Sequence, residues 1–288
     1  VRFNLVSNLA NGCGLQQDYE LLRKELEARG HQVQGVQFNQ PARVPKADVN
    51  IFLEVVNPLV FQAAPVQWAV PNPEWWFSAW TQHVWHKVLA KTRDCERIFR
   101  QKCGDRCQYL GWTARDLYVP TIPRERKFLH VAGKSQFKNT TAVVEGCHQA
   151  GVPLTVVGEH VFPRRRVSDK ELIHLMNSHF CHLMPSAYEG YGQVLHEAMG
   201  VGQVIVTTDA PPMNELSPVL LVPSVSTRRH HEGLLHKVSP LDVAKMVKHV
   251  LNMPPTVLQQ LQDGARTKYH EEQQAFQQAL DALVGRAS

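Results

Sequence analysis

Pro185-Ser186-Ala187-Tyr188-Glu189-Gly190-Tyr191-Gly192-Gln193-Val194-Leu195-His196-Glu197 is the stretch on which the reading of this chain turns. Glu189 sits in a Gly-rich loop, and Glu197, eight positions on, sits inside what reads as a helix. An acid on a loop ahead of a helix and an acid two turns into it can grip two parts of one polyol. Gly190 and Gly192 carry no Cβ, so backbone N–H groups can approach a ligand closely. The helix start that they open is a ready anion site. A ligand with hydroxyls at both ends and a diphosphate between them, such as a nucleotide sugar, suits that arrangement.

Reading onward, Glu197-Ala198-Met199-Gly200-Val201-Gly202 leads into Gln203-Val204-Ile205-Val206-Thr207-Thr208-Asp209. Alone, two acids at this spacing would equally describe a surface turn and a helix with solvated carboxylates. With Pro-Ser, Gly-Tyr-Gly, Glu-Ala-Met-Gly and the following strand in order, the segment resembles the donor-binding region of family 4-type retaining glycosyltransferases of the GT-B fold. The resemblance implies that the acids form that family's E-x7-E motif. Glu189 would then hold the transferred sugar and Glu197 the ribose of the nucleotide, with Gly190, Tyr191 and Gly192 forming the donor loop.

The whole chain agrees with an ordinary globular protein. Its 288 residues suffice for two domains with separate cores. Hydrophobic residues make up 43% and charged ones 20%, which excludes a disordered or fibrous chain. No apolar run reaches the roughly 20 residues that span a bilayer. Val49–Val70 comes nearest, but Glu54, Asn57, Pro58, Gln62 and Pro65 interrupt it. No charged start precedes an apolar core and a small-residue cleavage site. Six scattered cysteines point to reduced thiols and a cytoplasmic protein, in a host cytoplasm if the source is viral. Cys103-x3-Cys107, with Cys95, His83 and His86 upstream, can be drawn as a zinc site, but its spacing fits no common finger. The expectation is no metal and no resident cofactor. A net charge of +5 suits a polyanionic partner without demanding one.

Strand and helix patterns alternate from the start, the mark of parallel α/β architecture. Strands are expected over Val1–Ser7, His31–Phe38, Val49–Val55, Val66–Val70, Lys87–Ala90 and Cys107–Gly111, with helices over Leu15–Arg29 and Arg93–Lys102. A composition break with two prolines and a charge run, Tyr118–Arg126, marks a hinge. The pattern then restarts: Phe128–Ala132 strand, Asn139–Ala150 helix, Leu154–Val157 strand, Ser168–Ser178 helix, Phe180–Met184 strand, the Glu197 helix and the Val204–Thr207 strand. Ser239 and Pro240 begin a helix to Met253, and Pro254-Pro255 precedes a long polar helix from Thr256 to about Leu283. The resemblance implies two Rossmann-like, doubly wound domains facing a cleft, with a late helix returning to the first. The expected division is an acceptor domain over 1–120, a donor domain over 121–262 and a terminal helix over 263–288.

A diphosphate needs neutralising. Asp-x-Asp, the metal-carrying motif of the other main glycosyltransferase fold, appears nowhere in the sequence. Gly133-Lys134-Ser135-Gln136-Phe137-Lys138-Asn139 follows the strand that opens the second half and resembles the family's Gly-Arg…Lys element. Gly133, Lys134 and Lys138 are the matching positions, with Lys134 standing where the family has Arg, a point charge in place of a bidentate fork. The resemblance assigns these lysines to the leaving phosphate oxygen, where preorganised donors favour the transition state over the ground state. Glu189 then positions the sugar instead of attacking it. Arg164, in Arg164-Arg165-Arg166 after the Val156-Val157-Gly158 strand end, is either a nucleotide contact or part of a solvated basic loop.

The first half should carry the acceptor. Asn11-Gly12-Cys13-Gly14 resembles the Gly-rich loop facing the family's cleft, which makes Gly12 and Gly14 candidates. Four of the six tryptophans fall within eleven positions, Trp75 to Trp85. They either stack on a ligand or build the local core, the usual fate of large aromatics. Asn72 and Glu74, at the end of the Val66–Val70 strand, and His83 are the acceptor-side candidates. Asn-Pro-Glu-Trp, Lys91-Thr92 and Gly111-Trp112-Thr113-Ala114-Arg115-Asp116 look like a compact phage and virus subgroup of these transferases, some of which modify hydroxymethylated bases in DNA. The resemblance therefore implies a metal-independent retaining transferase of a hexose or pentose, with a UDP-sugar such as UDP-glucose as co-substrate. A hydroxymethylated pyrimidine in DNA is one expected acceptor, which Arg228-Arg229 and the other cations would serve through phosphates. A small sugar, lipid or protein hydroxyl is the alternative. A catalytically silent nucleotide-sugar-binding subunit is the reading from outside enzymology.

Overall fold

The computed structural model describes residues 1–10, 12, 14–40, 44–159 and 166–285. By internal contacts the chain divides into two units. The first is Val1–Trp112 with His230–Gly233 and Gln274–Ser288; the second is Thr113–Arg229 with Leu234–Gln273.

The first unit runs β1 (Arg2–Ser7), α1 (Gly14–Ala28), β2 (Gln32–Gln37), β3 (Val49–Leu53), β4 (Val66–Val70), β5 (Lys87–Ala90), α2 (Arg93–Cys103) and β6 (Cys107–Tyr109). Its strands form one six-stranded sheet in the order β2-β1-β3-β4-β5-β6, parallel at every pairing. β3 is buried at every position, Asn50 included, which is why its sequence shows no apolar–polar alternation. Phe52, Trp76, Trp85, Val88 and Phe99 share one core cluster, with Trp76 5.8 Å from Trp85 and 5.7 Å from Phe99 between ring centroids. Core packing thus takes Trp76 and Trp85, while Trp75 and Phe77 are exposed. The distant segments of this unit are bonded in. Arg29 donates to Asp281 Oδ1 at 2.6 Å and to Gln277 O at 3.1 Å. Glu232 N donates to Pro73 O at 2.9 Å, and the Glu232 carboxylate pairs with Lys102.

The second unit runs β7 (Glu125–Gly133), α3 (Thr140–Ala150), β8 (Leu154–Gly158), α4 (Asp169–Ser178), β9 (His179–Met184), α5 (Gln193–Gly200), β10 (Val204–Thr208) and β11 (Leu220–Val222). These strands form a five-stranded sheet ordered β11-β10-β9-β7-β8, again parallel. A two-stranded sheet, β12 (Ser224–His230) with β13 (Gly233–Val238), follows, then α6 (Pro240–Asn252) and α7 (Pro255–Val284). Phe128, Val143, Leu183, Val206, Val243 and Val247 lie in this unit's core. α3 and α6 approach closely because Gly146 has no side chain; a Cβ there would lie 2.7 Å from Val243 Cβ.

The two sheets share one topological device. In the first, β1 lies between β2 and β3; in the second, β7 lies between β8 and β9. The strand order reverses beside each of these central strands. In open parallel sheets such a switch point leaves a crevice at the carboxyl ends, where ligands bind.

Candidate functional site

At the switch point of the second unit, one loop leaves β7 at Gly133 and another leaves β9 after Met184. Gly133 takes φ +58° and Gly192, the residue before α5, takes φ +85°, conformations that a Cβ opposes. The two loops are laced together. Ala187 N donates to Phe137 O at 2.7 Å, and Asn139 Nδ2 donates to Pro185 O at 2.8 Å and His236 O at 3.2 Å. Asn139 itself is left-handed at φ +48°, a region that Asn tolerates better than most residues. Phe137, Ala187, Tyr188 and Leu235 close a small apolar cluster beneath.

This lacing brings Lys138 and Glu189 together. Lys138 Nζ donates to Glu189 Oε1, and Ser186 Oγ donates to the same oxygen at 2.5 Å. Lys134, on the same loop as Lys138, is exposed. Gly190, Tyr191 and Gly192 are buried, and the Tyr191 ring stacks on His196 with centroids 3.8 Å apart. His196 Nδ1 in turn lies 3.0 Å from Gly192 O, so the aromatic pair and the first turn of α5 brace the loop.

Glu197 faces inward from α5 and is 1% exposed. Arg115 Nε donates to its Oε1 at 2.8 Å, and Arg115 Nη1 also reaches Asp169 at 3.0 Å. Burial nevertheless raises the Glu197 pKa, the Arg115 cation pulling it back only in part. Beneath the β7 loop, His130 bridges Leu183 O at 2.6 Å and Thr140 Oγ1 at 2.9 Å. Full burial lowers its pKa to about 4, so the imidazole is neutral at pH 7 and one nitrogen accepts while the other donates. Arg164 and Arg165 lie outside the described residues, as do Asn11 and Cys13 of the first Gly-rich loop.

In the first unit the acceptor candidates are dispersed among different jobs. Gly14 opens α1, and Gly12 N donates to Gln16 Oε1 at 3.1 Å. Glu74 is buried, with its carbonyl accepting from His230 Nδ1 at 2.6 Å. His83 packs edge-on against Phe61 at 5.0 Å. Asn72 makes the most distinctive contact: its Nδ2 donates to Glu54 Oε2 at 2.6 Å. The sequence reading passed over Glu54, which follows β3 at φ +62°. It also passed over Arg115, Ser186 and Asn139. Ser186 and Asn139 adjoin the motif residues and were within reach of the same reading. Arg115 contacts Glu197 across 82 positions, and no spacing rule reveals such a pair. The cysteines drawn as a zinc site are buried and free. Among the described residues, no three His, Cys, Asp or Glu side chains are grouped to hold a metal ion.

Residues 155–217, which span β8 to the loop before β11, match the family model for glycosyl transferases group 1. No curated protein matches the chain in sequence. Solved structures match along its full length. Sucrose-phosphate synthase from Thermosynechococcus elongatus superposes with TM-score 0.72 at 13% identity, over 98% of both chains. The fold is GT-B. WaaG, a glycosyltransferase involved in lipopolysaccharide biosynthesis, superposes with TM-score 0.66 at 16% identity, over 99% of this chain and 100% of that one. The E. coli trehalose-6-phosphate structure bound with UDP-2-fluoro glucose superposes with TM-score 0.70 at 10% identity, over 100% of both. The chain spans only 59% of the length of its match in a GtfA/B complex, where TM-score is 0.62 and identity 14%.

Proposed function

We propose that this chain is a nucleotide-sugar-dependent glycosyltransferase that acts with retention of anomeric configuration and without a metal ion. The observation carrying the reading is the convergence of Lys138 and Glu189 at the β7–β9 switch point, beside a helix that buries Glu197, in a segment matching the group 1 transferase model. Without donor, the lysine and carboxylate neutralise each other. With donor, the diphosphate draws Lys138 and Lys134, and Glu189 takes hydroxyls of the sugar. Glu197, held by Arg115, is placed for the ribose.

The C1–O bond to the phosphate breaks while the acceptor oxygen bonds to C1 on the same face. The acceptor proton passes to the leaving nucleoside diphosphate. Negative charge grows on that phosphate oxygen, so the lysines and the N–H groups opening α5 stabilise the transition state more than the ground state. Gly190, Tyr191 and Gly192 serve the donor loop in this scheme. Asn72, Glu74, His83, Gly12 and Gly14 are the acceptor-side candidates. UDP is the nucleotide we favour, because one relative binds a UDP-sugar analogue. We infer a hydroxyl on a small sugar or a sugar-bearing lipid as acceptor, in preference to a hydroxymethylated pyrimidine in DNA. The named relatives that support this are a sucrose-phosphate synthase and a lipopolysaccharide biosynthesis enzyme.

Thermal denaturation in EDTA with UDP, GDP or ADP tests the donor half, and UDP is expected to raise the Tm. Stabilisation by none of them, or only with a divalent cation, contradicts the reading. Labelled UDP-glucose offered to hydroxymethylated DNA, unmodified DNA and a pool of sugars and lipids tests the rest. Label is expected in the sugar and lipid pool. Label in hydroxymethylated DNA instead selects the DNA acceptor, and no transfer with tight binding of a partner transferase selects a silent subunit.

A further inference from the structure

We propose that Ser7, Glu54 and Asn72 form a subsite for neighbouring hydroxyls of the acceptor, so that the acceptor presents a polyol and not an isolated hydroxymethyl group. The proposal rests on the transferase reading and deepens it by naming the acceptor's chemistry.

Four observations on the first unit converge here. Position is the first. β1 and β3 pair with Val6 opposite Phe52, so Ser7 ends one strand beside the end of the other, and Glu54 follows immediately. These two residues flank the switch point of this sheet, as the Lys138 and Glu189 loops flank the other. Asn72 follows β4, the next strand over. The second is backbone conformation. Glu54 is held at φ +62°, a left-handed geometry that costs a non-glycine residue energy and concentrates at functional sites. Its N–H is bonded to Val70 O at 3.0 Å, which locks the conformation.

Unsatisfied polar atoms are the third. Ser7 is fully buried, and neither its Oγ nor Asn72 Oδ1 has a hydrogen-bond partner. Buried polar groups are nearly always paired, so an orphan carboxamide oxygen on the residue that holds Glu54 and an orphan hydroxyl at the end of the neighbouring strand call for hydroxyls from outside the chain. The fourth is the carboxyl itself. Glu54 is partly exposed, with one oxygen occupied by Asn72. Desolvation raises its pKa above the ordinary value, while Lys91 at the end of β5 lowers it and Asp18 on α1 raises it. Lys91 and Asp18 are paired with each other, and Asp18 Oδ1 also accepts from Trp112 Nε1 at 2.8 Å, so neither is a substitute for Glu54. A carboxylate, a carboxamide oxygen and a serine hydroxyl are acceptors set for the O–H donors of a sugar. Hydrogen bonds to an ionised carboxylate are about twice as strong as neutral ones. Binding should therefore strengthen as pH rises through the elevated Glu54 pKa.

The test uses the full chain and saturation-transfer NMR in the presence of UDP. The probes are the methyl α-pyranosides of glucose, galactose and mannose, with 1-butanol as a mono-ol control. At least one glycoside is expected to bind while butanol does not, and affinity should rise with pH. Glu54→Ala and Asn72→Ala should each weaken binding at least tenfold. Glu54→Gln should retain part of the affinity and lose the pH dependence, a result that a merely structural Glu54 would not give; it also serves if Glu54→Ala fails to fold. UDP stabilisation should be unchanged in all three. Glycoside binding indifferent to both alanine variants, or no glycoside binding where UDP binds, overturns the subsite. Glycoside binding that depends on Glu54 in a protein that ignores UDP leaves the subsite standing and removes the donor assignment instead.

Discussion

Arg115 Nε lies 2.8 Å from Glu197 Oε1 and is the cation that lets a carboxylate stay inside the second unit. Glu197 is 2% exposed in its side chain and Arg115 31%, so the acid is deeply desolvated while its partner still reaches water. Breaking such a pair by removing one member costs about 3 kcal/mol or more, because the other charge is left uncompensated.

Arg115→Met is therefore expected to lower unfolding free energy by about 3 kcal/mol near neutral pH. The pH dependence separates this from lost packing. The Glu197 pKa is raised from its ordinary 4.5, so the folded state binds more protons than the unfolded state above that pH. Its contribution is fully present at lower pH and declines as pH rises through the folded pKa. Losing Arg115 lifts that folded pKa further and extends the decline upward. Urea unfolding of both proteins should show a larger deficit at pH 8 than at pH 5; a deficit equal at both leaves only packing.

Lys138 and Glu189 share an oxygen-directed ion pair, but their substitutions should differ in outcome. As a charge for the leaving phosphate, Lys138 acts in ground and transition states, so Lys138→Ala should weaken UDP binding about tenfold or more and slow transfer as well. Glu189→Gln removes a sugar contact and should leave UDP affinity near wild type while turnover falls at least tenfold. Calorimetry with UDP and rates with labelled donor give both numbers. Wild-type rates in either variant place the donor elsewhere.

Asn139 tests the lacing of the donor loops. It holds φ +48° while bonding Pro185 O and His236 O. Asn139→Ala loses both bonds and keeps the strain, whereas Asn139→Gly loses the bonds and relieves it. Alanine in a left-handed position costs about 1 kcal/mol more than glycine. The alanine variant should thus be the less stable by about that amount in urea, and equal stabilities would mean that the left-handed turn has relaxed.

How legible these features were depends on what signals each one. β4 spans Val66–Val70, the range expected from the sequence. Ser239 caps α6 through Asp242 N at 3.1 Å, just ahead of Pro240. The β12–β13 pair went unseen because β12 is exposed along most of its length, so neither alternation nor an apolar run marks it. In the candidate site, the acids and lysines announce themselves through motif spacing. Arg115 and Glu54 do not, since one is defined by a partner distant in sequence and the other by a backbone angle.

His130 provides the last prediction. It is fully buried between Leu183 O and Thr140 Oγ1, and desolvation lowers its pKa from 6.5 to about 4. The unfolded chain therefore binds the proton that the folded imidazole refuses throughout that interval. Stability from this group is complete above pH 6.5 and is lost as pH falls toward 4, by about 2 kcal/mol at pH 5 from a shift of this size. His182, with its pKa lowered to about 3, adds to the same acid slope, so the two must be separated by substitution. His130→Gln cannot titrate, and its unfolding free energy should change less between pH 7 and pH 5 than that of wild type by about 2 kcal/mol. Because His130 supports Thr140 beneath the Lys134–Lys138 loop, UDP affinity of the folded protein should hold down to about pH 5 and fall only as pH drops through about 4, where the folded imidazole takes its proton. A wild-type protein whose acid slope matches that of His130→Gln would show that this imidazole is not held neutral in the fold.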